Sequence, residues 1–299
     1  MDMQSLVVAM GAMGGMGALF SAGLALADKK LHVEEDPRIE LLVDALPGAN
    51  CGGCGVPGCG AFAEALVNGK ALVNGCPVNN ADGVAELAEI MGVEATAGVR
   101  QVARVLCAGG DAEVATRGEY LGVKTCLAAH MNHGGEKLCE YGCMGHADCV
   151  AVCPFDAIHM NDNGLPVVSD DKCTGCNNCV IACPRDIIEL VPENKNLFIF
   201  CKSKDEAKHA RSVCTVSCVG CAACAKGAGG DLICMDGYLP RIDYSQYGEV
   251  DILPTEKCPN NSLRIYGQHS TPTINGLGPK RSLPVEAPVA EDATETSEA

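Results

Sequence analysis

From Ser5 to Ala27 the chain runs 23 residues without a charge. That is long enough to cross a hydrocarbon core of roughly 30 Å as a helix. The run ends at Asp28-Lys29-Lys30, and the two lysines predict a cytoplasmic C-terminal side, with Met1 to Gln4 left outside. Ala25-Leu26-Ala27 has the form of a signal-peptidase site, but the N-terminus carries an acid instead of basic residues and the apolar run is longer than the ~7–15 of a signal segment. An anchor is the expected reading. Gly11 and Gly15 form a G-x-x-x-G pair, which lets one helix face approach another membrane helix closely.

Beyond the anchor the pattern shortens. Ile39, Leu41, Leu42 and Leu46 predict a short amphipathic helix stopped by Pro47-Gly48. "GCGAFAEALVNGKA" predicts a second helix with Phe62, Ala65 and Leu66 on one side, and "GVAELAEIMG" a third ending at Gly92. Residues 94–135 read as a less regular bridge. Then the sequence repeats: "CPFDAIHM" at 153–160, "CPRDIIEL" at 183–190 and "CPNNSLRI" at 258–265 each run from Cys-Pro into a short apolar stretch that predicts a brief strand. Asn161 to Gly164 is a turn, with Leu165, Val167 and Val168 returning. From about His269 the chain is rich in Pro, Thr, Glu and Ala, a composition that predicts disorder.

Composition changes the picture in two ways. With 21 Cys and 35 Gly against five Phe, six Tyr and no Trp, there is little apolar bulk to pack, so small cores wrapped around inorganic groups are expected. The net charge of −16, from 38 acidic against 22 basic residues, repels phosphate backbones and argues against nucleic acid as a partner.

The cysteines lie in close triplets, which points to cofactor ligation over a disulfide scaffold. Cys173, Cys176, Cys179 and Cys183 follow the C-x2-C-x2-C-x3-C-P pattern of bacterial ferredoxins, in which the fourth thiolate reaches a second cluster. Upstream, Cys139, Cys143, Cys149 and Cys153 read as a widened mate. Crossing the fourth ligands gives one [4Fe–4S] cluster on Cys139, Cys143, Cys149 and Cys183 and another on Cys173, Cys176, Cys179 and Cys153. A third copy has lost the ligands of one cube and keeps Cys218, Cys221, Cys224 and Cys258 for the other. Near the N-terminus Cys51, Cys54, Cys59 and Cys76 form a further set, expected to hold [4Fe–4S], where zinc is the competing metal. Four clusters are expected on these 16 residues. Of the five cysteines left, Cys234 needs no more than a free-thiol role, whereas Cys107, Cys126, Cys201 and Cys214 flank the double-cluster region and are candidates for a fifth cluster. The seven histidines show no ligand spacing, and there is no phosphate loop or nucleophile elbow, so no catalytic residue is expected in this chain.

The combination of one N-terminal membrane helix, "EEDPRIELLVDALPGANCGGCGVPGCGAFAEAL" with Cys76-Pro77, "CEYGCMGHADCVAVCPFDAI" and "CTGCNNCVIACP" resembles the B-subunit family of the Rnf electron-transport complex, in its longer form, over about residues 1–266. The resemblance implies a relay that takes electrons from reduced ferredoxin towards NAD+ through flavin-bearing subunits, coupled to Na+ or H+ export by ion-translocating subunits of the same membrane complex. It also implies a place in the cell's inner membrane, with the cluster domains on the cytoplasmic side. The iron–sulfur subunit of another membrane oxidoreductase and a membrane-tethered redox sensor are the competing readings. The expected architecture is α+β, divided into a transmembrane anchor (1–29), a small, mostly helical [4Fe–4S] domain (30–93), a linking region (94–135), a two-cluster ferredoxin domain (136–192), a degenerate one-cluster ferredoxin-like domain (193–268) and a disordered acidic tail (269–299).

Overall fold

The computed structural model describes residues 3–31, 36–95, 98–228, 232–246 and 258–266, so the expected tail lies outside the described residues. Helix α1 (Met3–Leu31) contains the uncharged run and places Lys29 and Lys30 in its last turn, where their charge complements the helix dipole. Its segment Met10–Lys30 is long and apolar enough to cross a membrane and has no part buried within the protein. Leu19, Phe20, Leu24 and Leu26 are each at least 70 % exposed. A methyl group added at Gly11 or Gly15 would meet nothing within 4 Å, so that face is open.

Three helices follow: α2 (Arg38–Ala45), α3 (Cys59–Val67) and α4 (Ala81–Met91). Asn80 caps α4 by accepting from the Gly83 amide at 2.8 Å, and Gly92 ends it in the left-handed region. Leu42, Leu46, Phe62, Ala63, Leu66, Leu87 and Ala88 form one apolar core. Two positions differ from expectation. Ala63, not Ala65, completes the buried stripe with Phe62 and Leu66, and Leu41 faces outward at 55 % exposure while Leu42 and Leu46, one turn apart, point in.

The remaining chain is mixed helix and strand. Strands β1 (Gln101–Val105), β2 (Ile158–Met160), β3 (Pro166–Val168), β4 (Ile188–Pro192), β5 (Leu197–Ile199), β6 (Ile233–Asp236), β7 (Leu239–Ile242) and β8 (Leu263–Ile265) pair antiparallel as β1–β4, β2–β3, β5–β8 and β6–β7. Each Cys-Pro is followed by its expected strand. Short helices α5 (Cys126–Met131), α6 (Asp148–Ala151), α7 (Asn178–Ala182), α8 (Ala207–Val213) and α9 (Ala223–Gly227) lie between them.

The segment 94–135 is more regular than expected. It supplies β1, which pairs with β4 from Gln101↔Pro192 to Val105↔Ile188 and fully buries Val102 and Ala103. Arg104 sits in the same core at 2 % exposure, paired with Asp170 and stacked 4.0 Å from the Tyr266 ring centre. A buried arginine in a five-residue strand breaks the apolar alternation by which a strand is read from sequence.

Candidate metal centres

The cysteine loops share a backbone that repeats three times. Gly145, Gly175 and Gly220 have φ of 85°, 70° and 61°. Two residues on, Ala147, Asn177 and Ala222 are left-handed at 64°, 71° and 55°, and each immediately precedes the helix (α6, α7 or α9) that carries Cys149, Cys179 or Cys224. Three residues past each Cys-Pro cysteine, Asp156, Asp186 and Asn261 repeat φ values of 49°, 50° and 51°. Non-glycine residues adopt this region at a cost of ~1–2 kcal/mol, so three matched sets mark one loop built three times.

This register differs from the expected alignment of the first copy. It reads Cys143-x2-His146-x2-Cys149-x3-Cys153 against Cys173-x2-Cys176-x2-Cys179-x3-Cys183, so His146 stands where the second copy has Cys176. The thiol of Cys126, the first residue of α5, lies beside this loop. Cys126, Cys143, Cys149 and Cys183 line one pocket, and the backbone N–H groups of His146 and Asp148 lie near enough to Cys126 to favour its thiolate. Cys139, expected in this set, instead lines a different cavity with Cys107, Cys201 and Cys214.

The thiols of the other expected sets lie near one another. Cys153 crosses over to join Cys173, Cys176 and Cys179, which act electrostatically on one another. The Ala157 amide donates to Cys153 Sγ and the Ala103 amide to Cys173 Sγ, both at 3.4 Å. Cys51, Cys54, Cys59 and Cys76 line a pocket walled by Leu46 and Phe62. There the Asn50 side chain accepts from the Cys59 amide at 2.8 Å, and a methyl group on Gly58 would strike that same oxygen at 2.8 Å. Cys218, Cys221, Cys224 and Cys258 line one pocket, with the Ser262 amide donating to Cys258 Sγ at 3.2 Å.

Burial pushes the Cys149 and Cys179 thiols up to about 12 and Cys143 higher still, because the surrounding sulfurs and apolar walls disfavour thiolate. So many thiols grouped in fours require a cationic core to become thiolates together. Among the described residues no three Cys, His, Asp or Glu side chains converge closely enough to hold one metal ion. A single zinc draws its four sulfurs to about 2.3 Å from one point, whereas a multi-iron core holds them further apart. The donor chemistry, the amides aimed at sulfur and the cavities therefore fit iron–sulfur clusters.

Known proteins agree with that fit. Residues 46–78 match a family model described as "Putative Fe-S cluster", and residues 139–188 match "4Fe-4S dicluster domain". Over 87 % of its length the chain is 44 % identical to the B subunit of the Na+-translocating ferredoxin:NAD+ oxidoreductase complex of Acetobacterium woodii, covering 78 % of that protein. It is 36 % identical to the B subunit of the ion-translocating oxidoreductase complex of Methanosarcina acetivorans, over 80 % of this chain and 90 % of the relative. It is likewise 36 % identical to the B subunit of the proton-translocating ferredoxin:NAD+ oxidoreductase complex of Clostridium ljungdahlii, over 88 % and 93 %.

Proposed function

The chain belongs to the family of B subunits of ion-translocating ferredoxin:NAD+ oxidoreductase (Rnf) complexes, and from that premise we propose that it docks reduced ferredoxin and hands the electrons on to flavin-bearing partner subunits. It is an iron–sulfur electron-transfer subunit of the membrane complex. We assign as ligands Cys51, Cys54, Cys59 and Cys76; Cys153, Cys173, Cys176 and Cys179; Cys126, Cys143, Cys149 and Cys183; and Cys218, Cys221, Cys224 and Cys258. When bound, [4Fe–4S] clusters supply one-electron carriers whose potentials reach as low as about −700 mV.

What carries this reading is that three thiol sets adjoin. The first touches the second through Gly53, where a methyl group would lie 2.8 Å from the Cys176 carbonyl oxygen, and Asn178 donates to the Cys51 carbonyl at 3.2 Å. The second packs against the third where α7, carrying Cys179, meets α6, carrying Cys149, in one core. Glycine at position 53 keeps the two loops in backbone contact, which shortens the gap an electron crosses. Each transfer oxidises the donor and reduces the acceptor by one electron, with no proton moved by this chain.

The protein associates with the membrane through α1. Lys29 and Lys30 at its C-terminal end favour placing everything that follows on the cytoplasmic side, where soluble ferredoxin and NAD+ are found. We divide the remainder into a helical N-terminal unit, a two-cluster ferredoxin unit to which β1 belongs, and a one-cluster unit closed by β5–β8.

The test mixes the anaerobically purified full chain in detergent with reduced ferredoxin and NAD+, following cluster bleaching and NADH together. Rapid bleaching without NADH is expected of a relay that depends on its complex. An absence of bleaching by ferredoxin would overturn the docking assignment, and NADH formed by this chain alone would overturn the relay reading.

A further inference from the structure

Four cysteines stand outside the ligand sets assigned above and yet meet. Cys107 follows β1, Cys139 precedes the first ferredoxin loop, Cys201 follows β5, and Cys214 caps the C-terminus of α8. Their four thiols line one pocket. Neither matched family region contains Cys107, Cys201 or Cys214.

The walls of this cavity are shaped around the sulfurs. A methyl group on Gly109 would lie 3.0 Å from Cys214 Sγ, and one on Gly142 would lie 3.1 Å from Cys139 Sγ and 3.6 Å from Cys107 Sγ. Amides aim inward as they do at the other sets: Cys143 N donates to Cys107 Sγ at 3.4 Å and Ser203 N to Cys201 Sγ at 3.5 Å. Arg185 spans the outside of the Cys139 loop, donating to the Cys139 carbonyl, to the Gly142 carbonyl at 2.8 Å and to the Gly134 carbonyl at 2.9 Å. A guanidinium beside four thiols favours the anionic charge that a thiolate-ligated cluster carries.

We infer that Cys107, Cys139, Cys201 and Cys214 bind a fifth [4Fe–4S] cluster, an inference that rests on the iron–sulfur relay proposed above. Position gives it a role. On one side the Cys143 amide, belonging to the third set, donates to Cys107 Sγ; on the other, Cys218, belonging to the C-terminal set, lies close enough to act electrostatically on Cys201. The fifth cluster links the C-terminal cluster to the other three, making a line that begins at the Cys51 set and ends at the Cys218 set. An electron crossing it reduces this cluster by one as the preceding one is oxidised.

The experiment counts iron and acid-labile sulfide per chain in the anaerobically reconstituted full-length protein, alongside Cys201→Ala and the exposed, unassigned Cys234→Ala. Five cubanes give about 20 iron and 20 sulfide in the wild type and in Cys234→Ala, and about 16 in Cys201→Ala. A wild-type count of about 16, unchanged by Cys201→Ala, overturns the fifth site and leaves the four-cluster relay standing. A wild-type count below about 12 overturns the four-cluster assignment itself. The wild-type count decides even where Cys201→Ala does not fold.

Discussion

Gly175→Ala tests whether the left-handed glycine of the repeated loop is required by its contacts as well as by its backbone angle. Gly175 has φ of 70°, and a methyl group there would lie 2.6 Å from the Gln101 carbonyl oxygen, a backbone atom held in β1 by its pairing with β4. An alanine in this region costs ~1–2 kcal/mol. Forcing the strand aside adds the ~1–3 kcal/mol typical of overpacking, for about 2–5 kcal/mol in all. Asn177→Ala is the matched control. Asn177 has φ of 71° in the same loop, and the sister loops already hold Ala147 and Ala222 at that position, so it isolates the backbone cost. The assay is the rate at which an iron chelator bleaches the clusters at a fixed denaturant concentration, which follows local opening of the loop. Gly175→Ala should bleach roughly 5–150 times faster than Asn177→Ala, the factor that ~1–3 kcal/mol represents. Equal rates for the two variants would refute the claim that β1 is pressed against the cluster loop.

Three further outcomes follow from the same contacts. Cys126→Ala and Cys139→Ala should each lose about four iron, but from different clusters: electron paramagnetic resonance should show the signal of the cluster shared with Cys183→Ala missing only in Cys126→Ala. Asp170→Ala strands the buried Arg104 and should cost about 2–3 kcal/mol in a melt of the reconstituted protein, less than the ~3–5 of a fully enclosed pair because Asp170 is 33 % exposed; Arg104→Met, which removes the charge as well, should cost less than Asp170→Ala. Phe62→Ala empties the centre of the N-terminal core, so a loss of ~3–5 kcal/mol should speed release of the Cys51-set cluster while the ferredoxin clusters bleach at the wild-type rate.

The parts legible in the sequence are those whose signal is local. An uninterrupted apolar run predicts α1, capping and stop residues predict α4, and Cys-Pro before an apolar stretch predicts β2, β4 and β8. Cys51, Cys54, Cys59 and Cys76 fall together because three of them lie within nine residues, in a glycine-rich loop and the start of α3, and Cys76 lines the same pocket as Phe62 of that helix. The loop that begins at Cys143 is instructive. Counting cysteines alone aligns Cys139 with Cys173, whereas the glycine two places after the first thiol aligns "CMGHADCVAVCP" with "CTGCNNCVIACP" and "CVGCAACAKGAG". That signal is present in the chain, and it separates Cys139 from the ferredoxin loop and exposes His146 as the substituted ligand position. Nothing local could supply Cys126 in its place. Its thiol reaches the set from a separate helix, and the meeting of Cys107, Cys139, Cys201 and Cys214 depends on how β1, β5 and α8 pack. Strand β1 is hidden for a related reason: its pairing with β4 spans the whole ferredoxin unit, and Arg104 masks its apolar pattern.

The most direct test uses inverted membrane vesicles carrying the whole complex, with this chain either wild-type or Cys183→Ala, measuring ferredoxin-dependent NADH formation and ion uptake in the same preparation. If electrons must pass through this chain, Cys183→Ala abolishes both together, while NADH-driven reduction of an artificial acceptor by the flavin-bearing subunits persists. Ferredoxin-dependent NADH formation at the wild-type rate in the Cys183→Ala vesicles would contradict it.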